Sequence, residues 1–164
     1  MVCAHPARVN LNELLALDDS SEALGLYIRL ADAIGYRCNA TDSFAKFKAA
    51  YLGSRPSLII LDVLIGAADC GEMLDFLARC RCVVPIILIS GYSGDYMSQF
   101  EGRMKLAGLK LAGKVEKRSD MGHLEVLLRT LWIPEIEEPL AGQDETAAPG
   151  SRRVDEVARN QSAS

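Results

Sequence analysis

A chain of 164 residues, 49% hydrophobic and 24% charged, has enough apolar material for one enclosed core and resembles neither a polyelectrolyte nor a low-complexity linker. Its net charge of −4 lacks the basic excess of a nucleic-acid surface, no apolar run approaches the ~20 residues of a membrane helix, and the opening MVCAHPARVN has no signal-peptide core. Five cysteines (Cys3, Cys38, Cys70, Cys80 and Cys82), odd in number and with no C-x-x-C pair, fit thiols in a reducing cytoplasm and neither a disulfide framework nor a zinc site.

The pattern along the chain is strand then helix, five times. Residues 1–11 read as a flexible N-terminus. ELLALDD (13–19) is the first strand. A helix follows from Ser20 to about Ile34, capped by Asp19 or Ser20, with Ala23, Leu26, Tyr27, Leu30 and Ile34 at three-four spacing and Gly35 at its end. YRCNA (36–40) is the second strand, and Thr41 or Asp42 caps a helix carrying Phe44, Phe47, Tyr51 and Leu52, closed by the turn GSRP. SLIILD (57–62) is the third, and its unbroken apolar run implies burial on both faces. A loop at 66–69 leads to a helix over about 71–81 with Met73, Leu74, Leu77 and Ala78 inward. PIILIS (85–90) is the fourth strand. After the loop Gly91-Tyr92-Ser93-Gly94, Asp95 caps a helix with Met97, Phe100 and Met104 facing the core, and Gly108 stops it. LKLAGKVE (109–116) is the fifth strand, and its helix spans about 119–131 with Leu124, Leu127, Leu128 and Leu131. Residues 132–164, acidic and poor in large apolar side chains, read as a disordered tail, which leaves 12–131 as the folded domain.

Alternating strands and helices predict a doubly wound parallel α/β sheet, whose ligands sit beyond the carboxyl ends of the strands. There the sequence places Asp18 and Asp19 after strand one, Asp62 after strand three, Ser90 after strand four and Lys117 after strand five. Three carboxylates brought together repel one another, and a divalent cation with all-oxygen ligands and bound water, Mg²⁺ above all, removes the conflict. Asp62 is placed centrally to supply the attacking oxygen of a phosphoryl transfer, with Lys117 offsetting charge and the Ser90 hydroxyl donating. His5 and His123 have no second ligand at metal spacing and are expected to face solvent.

LALDD (15–19), LIILD (58–62), ADCGEMLDFL (68–77), PIILISG (85–91) and VEKRSD (115–120) occur in the order and spacing of bacterial response-regulator receiver domains. The chain resembles that family over roughly residues 12–131. The resemblance implies a (βα)5 sheet of flavodoxin-like order 2-1-3-4-5. It implies Asp62 as phosphoacceptor and metal ligand, Asp19 as a direct metal ligand, Asp18 acting through water, and the Leu64 carbonyl as a further ligand. Ser90 matches the switch hydroxyl and Lys117 the pairing lysine. It also implies a histidine kinase or histidine phosphotransfer protein as donor, and a downstream protein read through the surface of helix four, strand five and helix five. No nucleic acid or membrane partner is expected. Such a protein is not an enzyme toward an outside substrate, although slow hydrolysis of its own acyl phosphate is expected. With few structured residues after Leu131, its output is expected to be a partner protein in a phosphorelay.

Four positions depart from the family pattern. Gly66 stands where proline is usual, Asp69-Cys70 replaces the Asp-Gly pair with Gly71 one residue later, Arg118 follows the lysine in place of proline, and Lys114 occupies the place of the switch aromatic. The Lys117–Arg118 bond is accordingly expected to be trans, and Tyr92 is the aromatic left to substitute in the switch. Gly66, Lys114 and Arg118 lend some support to the alternative, a receiver-like interaction scaffold that works without phosphorylation, and retention of all five site residues argues against it. A dehalogenase-type phosphatase would need an acid at Leu64, and an FMN site would not tolerate Asp18-Asp19 beside its phosphate.

Overall fold

The run Leu58-Ile59-Ile60-Leu61 is buried on every residue and forms the middle of the sheet. In the computed structural model, which describes residues 12–91 and 94–133, five strands run parallel: β1 (Glu13–Leu17), β2 (Arg37–Thr41), β3 (Leu58–Asp62), β4 (Ile86–Ser90) and β5 (Leu111–Glu116). Their order is β2-β1-β3-β4-β5, the order that the family resemblance implies. The helices are α1 (Ser21–Ile34), α2 (Phe44–Gly53), α3 (Gly71–Arg79), α4 (Gly94–Leu106) and α5 (Met121–Leu131).

Because side chains alternate along a strand, one sheet carries two cores. Leu15, Leu17, Ile59, Leu61, Ile86 and Leu88 face α2, α3 and α4, where Phe47, Tyr51, Met73, Leu74, Leu77 and the predicted trio Met97, Phe100 and Met104 meet them. Leu14, Ala16, Leu58, Ile60, Ile87, Ile89 and Val115 face Tyr27 and Ala31 of α1 and Leu124 and Leu128 of α5. Gly113 of β5 lies against Leu127 of α5 in this second layer. A Cβ built there would stand 2.5 Å from Leu127 Cδ1 and 3.3 Å from its Cγ. Gly113→Ala can be met by turning the end of Leu127, whereas Gly113→Val has to lift α5. The valine variant is expected to lose about 1–3 kcal/mol, the usual cost of overpacking, and the alanine variant clearly less, by urea unfolding.

Several boundaries differ from the sequence reading. The strand of 13–19 ends at Leu17, leaving Asp18 and Asp19 just beyond it, and Ser20 caps α1 by accepting from Ala23 N–H. Neither Thr41 nor Asp42 caps α2; Ser43 does, accepting from Lys46 N–H, and Leu52 is exposed. The loop of 66–69 belongs to a short antiparallel hairpin, Leu64–Ile65 against Ala68–Asp69. The helix assigned to Asp95 as cap already starts at Gly94. Trp132, assigned to the tail, packs over Gly35. His123 is exposed as expected. Cys38, Cys70, Cys80 and Cys82 carry thiols. The readings for residues 1–11, His5 and Cys3, for Tyr92, and for the tail from 134 onward lie outside the described residues. No helix among the described residues is long and apolar enough to cross a membrane.

Candidate functional site

Strand alternation decides which side chains meet at the carboxyl edge. On the α1/α5 face the inward residues are Leu14 and Ala16, Leu58 and Ile60, and Val115. The next residues of that parity are Asp18, Asp62 and Lys117, charged where the strands run out. Asp18 and Asp62 flank the gap between β1 and β3 where the strand order reverses, the place at which sheets of this type bind ligands, and Lys117 reaches them from the end of β5.

Asp18 is fully buried and Asp62 is 4% exposed. The Lys117 ammonium bridges them, with Nζ 2.7 Å from Asp18 Oδ2 and 2.7 Å from Asp62 Oδ2. Backbone amides hold the other two oxygens: Ser20 N–H donates to Asp18 Oδ1 at 2.9 Å and Leu64 N–H to Asp62 Oδ1 at 3.2 Å. The Tyr27 hydroxyl donates to Asp18 Oδ2 at 2.7 Å. Asp19 stands exposed on the rim and accepts the Gly66 N–H on Oδ2 at 2.7 Å. One oxygen from each of Asp18, Asp19 and Asp62 lies within 4.8 Å of the others.

Burial pushes the Asp62 carboxyl above its ordinary pKa. The Lys117 hydrogen bond opposes the rise, the charge of Asp18 adds to it, and the net direction is upward. For Lys117, desolvation pulls downward, but its bonds to Asp18 and Asp62 outweigh that and hold the ammonium above its usual value. Burial and then Asp18 drive the Tyr27 phenol well above the ordinary range, so it remains a donor. One ammonium faces three carboxylates, so the pocket is short of positive charge. Oxygens sharing one Mg²⁺ at about 2.0–2.1 Å are at most about 4.2 Å apart. With one oxygen from each of the three acids within 4.8 Å of the others, the groups are close enough to share a single hard cation, directly or through bound water.

The fold thus brings Asp18, Asp19, Asp62 and Lys117 together. Ser90 ends β4 and is 1% exposed, but its parity is that of Ile86 and Leu88, which face the α2–α4 layer. Its carbonyl accepts the Lys117 N–H at 2.8 Å and so fixes the start of that side chain. Leu64 lies in the hairpin that follows Asp62. At the hairpin tip Gly66 has φ +62°, which proline cannot adopt, and its N–H, which proline lacks, is the donor to Asp19. No cis peptide bond occurs among the described residues, so Lys117–Arg118 is trans as expected. Lys114, in the place of the switch aromatic, forms an ion pair with Glu101 of α4 at 2.6 Å. Two contributors escaped the sequence reading, Gly66 and Tyr27. The signal for Tyr27 was present, because a hydroxyl inside an apolar helix stripe has to find a partner.

No family model and no curated protein matches the sequence. The fold does match solved structures. A response regulator from Colwellia psychrerythraea is 24% identical, the match covering 74% of this chain and 97% of that one, with a TM-score of 0.65. The response regulator TrrA from Thermotoga maritima, in complex with Mg²⁺-BeF, is 18% identical over 73% of this chain and 98% of its own, with a TM-score of 0.61. A response regulator from Burkholderia pseudomallei with a phosphorylated aspartic acid, a calcium ion and citrate is 15% identical over 73% of this chain and 67% of its own, with a TM-score of 0.60. The chain has the CheY-like receiver fold, with an acidic pocket at the sheet edge.

Proposed function

We propose that this chain is a response-regulator receiver that accepts a phosphoryl group on Asp62 in a Mg²⁺-dependent reaction. The observation that carries this reading is the cluster of three carboxylates within 4.8 Å, tied by Lys117 at the sheet's reversal point. Mg²⁺, when bound, supplies positive charge against the carboxylates and the oxygens of the transferring group. Asp19 and Asp62, with the Leu64 carbonyl, would hold it directly and Asp18 through water.

The chain's own residues do the rest. An Asp62 carboxylate oxygen forms the new bond to phosphorus. The bond from phosphorus to the donor's leaving atom breaks, and the leaving group keeps that electron pair. The hydrogen bonds of Leu64 N–H and Lys117 fix the Asp62 carboxylate before attack. Lys117 then pairs with the phosphoryl oxygens, and Ser90 supplies a hydroxyl on moving toward them. The product is an acyl phosphate that water hydrolyses slowly, so the protein is a phosphoacceptor in a cytoplasmic phosphorelay and turns over no outside substrate. Its donor would be a histidine kinase or a histidine phosphotransfer protein, and its reader a protein that binds the α4–β5–α5 surface.

One observation favours a second reading, an interaction scaffold independent of phosphorylation. Lys114 is engaged with Glu101, so β5 presents an ion pair where an aromatic would signal the switch. Acetyl phosphate separates the two. With Mg²⁺ the full chain is expected to give one slow band on a Phos-tag gel, and with excess EDTA none. No band under either condition leaves the scaffold.

A further inference from the structure

We propose that Tyr27 is a positioning residue of the acidic pocket: acting through Asp18, its hydroxyl strengthens the hold of the site on Mg²⁺. The inference rests on the metal reading above.

The phenol ring is fully buried in the cluster that holds Ala16, Ile60 and Leu124, a space that phenylalanine would fill equally well. The hydroxyl is therefore what tyrosine adds. A second buried tyrosine of the same layer, Tyr36, spends its hydroxyl on the Leu128 carbonyl at 3.2 Å, a purely structural bond. Tyr27 instead donates to Asp18 Oδ2 at 2.7 Å, the same oxygen that Lys117 approaches at 2.7 Å. Asp18 is 0% exposed, and Ser20 N–H, Tyr27 O–H and Lys117 supply its donors in this structure.

Lys117 is shared between Asp18 and Asp62, and any motion that draws it toward a phosphoryl group takes it from Asp18. Ser20 N–H on Oδ1 and Tyr27 O–H on Oδ2 then keep the carboxylate aimed at the pocket. Without the phenol, Lys117 still holds Oδ2 at 2.7 Å. Asp18 would then swing into that ion pair, and a cation would have to break it.

The test is Mg²⁺ titration of the full chain by calorimetry, without phosphodonor. Tyr27→Phe is expected to weaken Mg²⁺ binding about tenfold, the scale of losing one hydrogen bond to a charged group, while Tyr36→Phe leaves the affinity unchanged. In an Asp18→Asn background the further change Tyr27→Phe is expected to have less than about a twofold effect, because the bond acts through that carboxylate. A folded Tyr27→Phe with wild-type affinity overturns the proposal, as does an equal loss in Tyr36→Phe. If Tyr27→Phe does not fold, the wild-type Tyr27 ¹³Cζ resonance decides: it should move along the Mg²⁺ binding curve, and a resonance that stays still overturns the proposal. A wild-type chain that gives no Mg²⁺ isotherm removes the metal reading and this inference with it. That result is distinct from a normal wild type beside an unaffected Tyr27→Phe.

Discussion

Asp62→Asn is expected to give no slow band with acetyl phosphate and Mg²⁺ and, in EDTA at pH 7.5, to melt at a higher temperature than the wild type. The two effects share one cause. Asp62 is 4% exposed and stands beside the fully buried Asp18, with one lysine between them. Its carboxylate is what the transfer reaction needs and what the metal-free fold tolerates poorly. The amide retains an oxygen for Leu64 N–H, and Lys117 retains Asp18, so the substitution removes charge without emptying the site. The pH dependence has a defined sign. Burial raises the folded-state pKa of Asp62 above its unfolded value, so between the two values the folded chain binds more protons than the unfolded one. Wild-type stability therefore falls as pH rises through that window. The melting-temperature advantage of Asp62→Asn should open above about pH 4, near the unfolded value, and level off above the folded one. Melts between pH 4 and pH 8 check this. A slow band in the variant would move the acceptor elsewhere, and a constant advantage would mean that Asp62 ionisation has no part in it.

The acidic site was legible in the sequence because its residues obey two simple periods. Continuous apolar strands fixed the parallel sheet, and step-two alternation carried Ala16 to Asp18, Ile60 to Asp62 and Val115 to Lys117, so the charges had to meet on one face. Less regular features were harder to read. Thr41, Asp42 and Ser43 are all capable caps, and tertiary contacts chose among them: Thr41 donates its hydroxyl to the Ala16 carbonyl, Asp42 pairs with Lys46, and Ser43 is left to cap α2. The hairpin after Asp62 has strands of two residues, too short to show a period. Gly66 reads as a gap in a pattern until its left-handed φ and its amide bond to Asp19 are seen. Tyr27 counted as one more apolar position in a helix stripe, because periodicity registers the ring and is blind to the hydroxyl.

Lys117→Met is expected to be the most destabilising single change at the site, by about 3 kcal/mol at pH 7.5 in EDTA, the lower end of the cost of breaking a buried ion pair. The lysine touches both buried carboxylates at 2.7 Å, and the Tyr27 hydroxyl, which donates to Asp18, does not replace it at Asp62. Methionine fills the stem's volume, so the loss is electrostatic and not a cavity effect. Because the folded-state pKa of Lys117 lies above its unfolded value, its contribution is whole below about pH 10.4 and is lost only as pH climbs through the raised value. The gap between wild type and variant should therefore stay constant from pH 7.5 to about pH 10 and close above it. Mg²⁺ supplies the contrast that makes the result diagnostic. A structural salt bridge in a scaffold would leave the variant equally weak with or without the ion. If the three acids form a cation site, Mg²⁺ replaces the missing positive charge, and millimolar Mg²⁺ should stabilise Lys117→Met more than the wild type, in which ammonium and metal compete for the same oxygens. Urea unfolding of both proteins with and without Mg²⁺ measures that difference directly, and equal stabilisation of the two would count against a shared site.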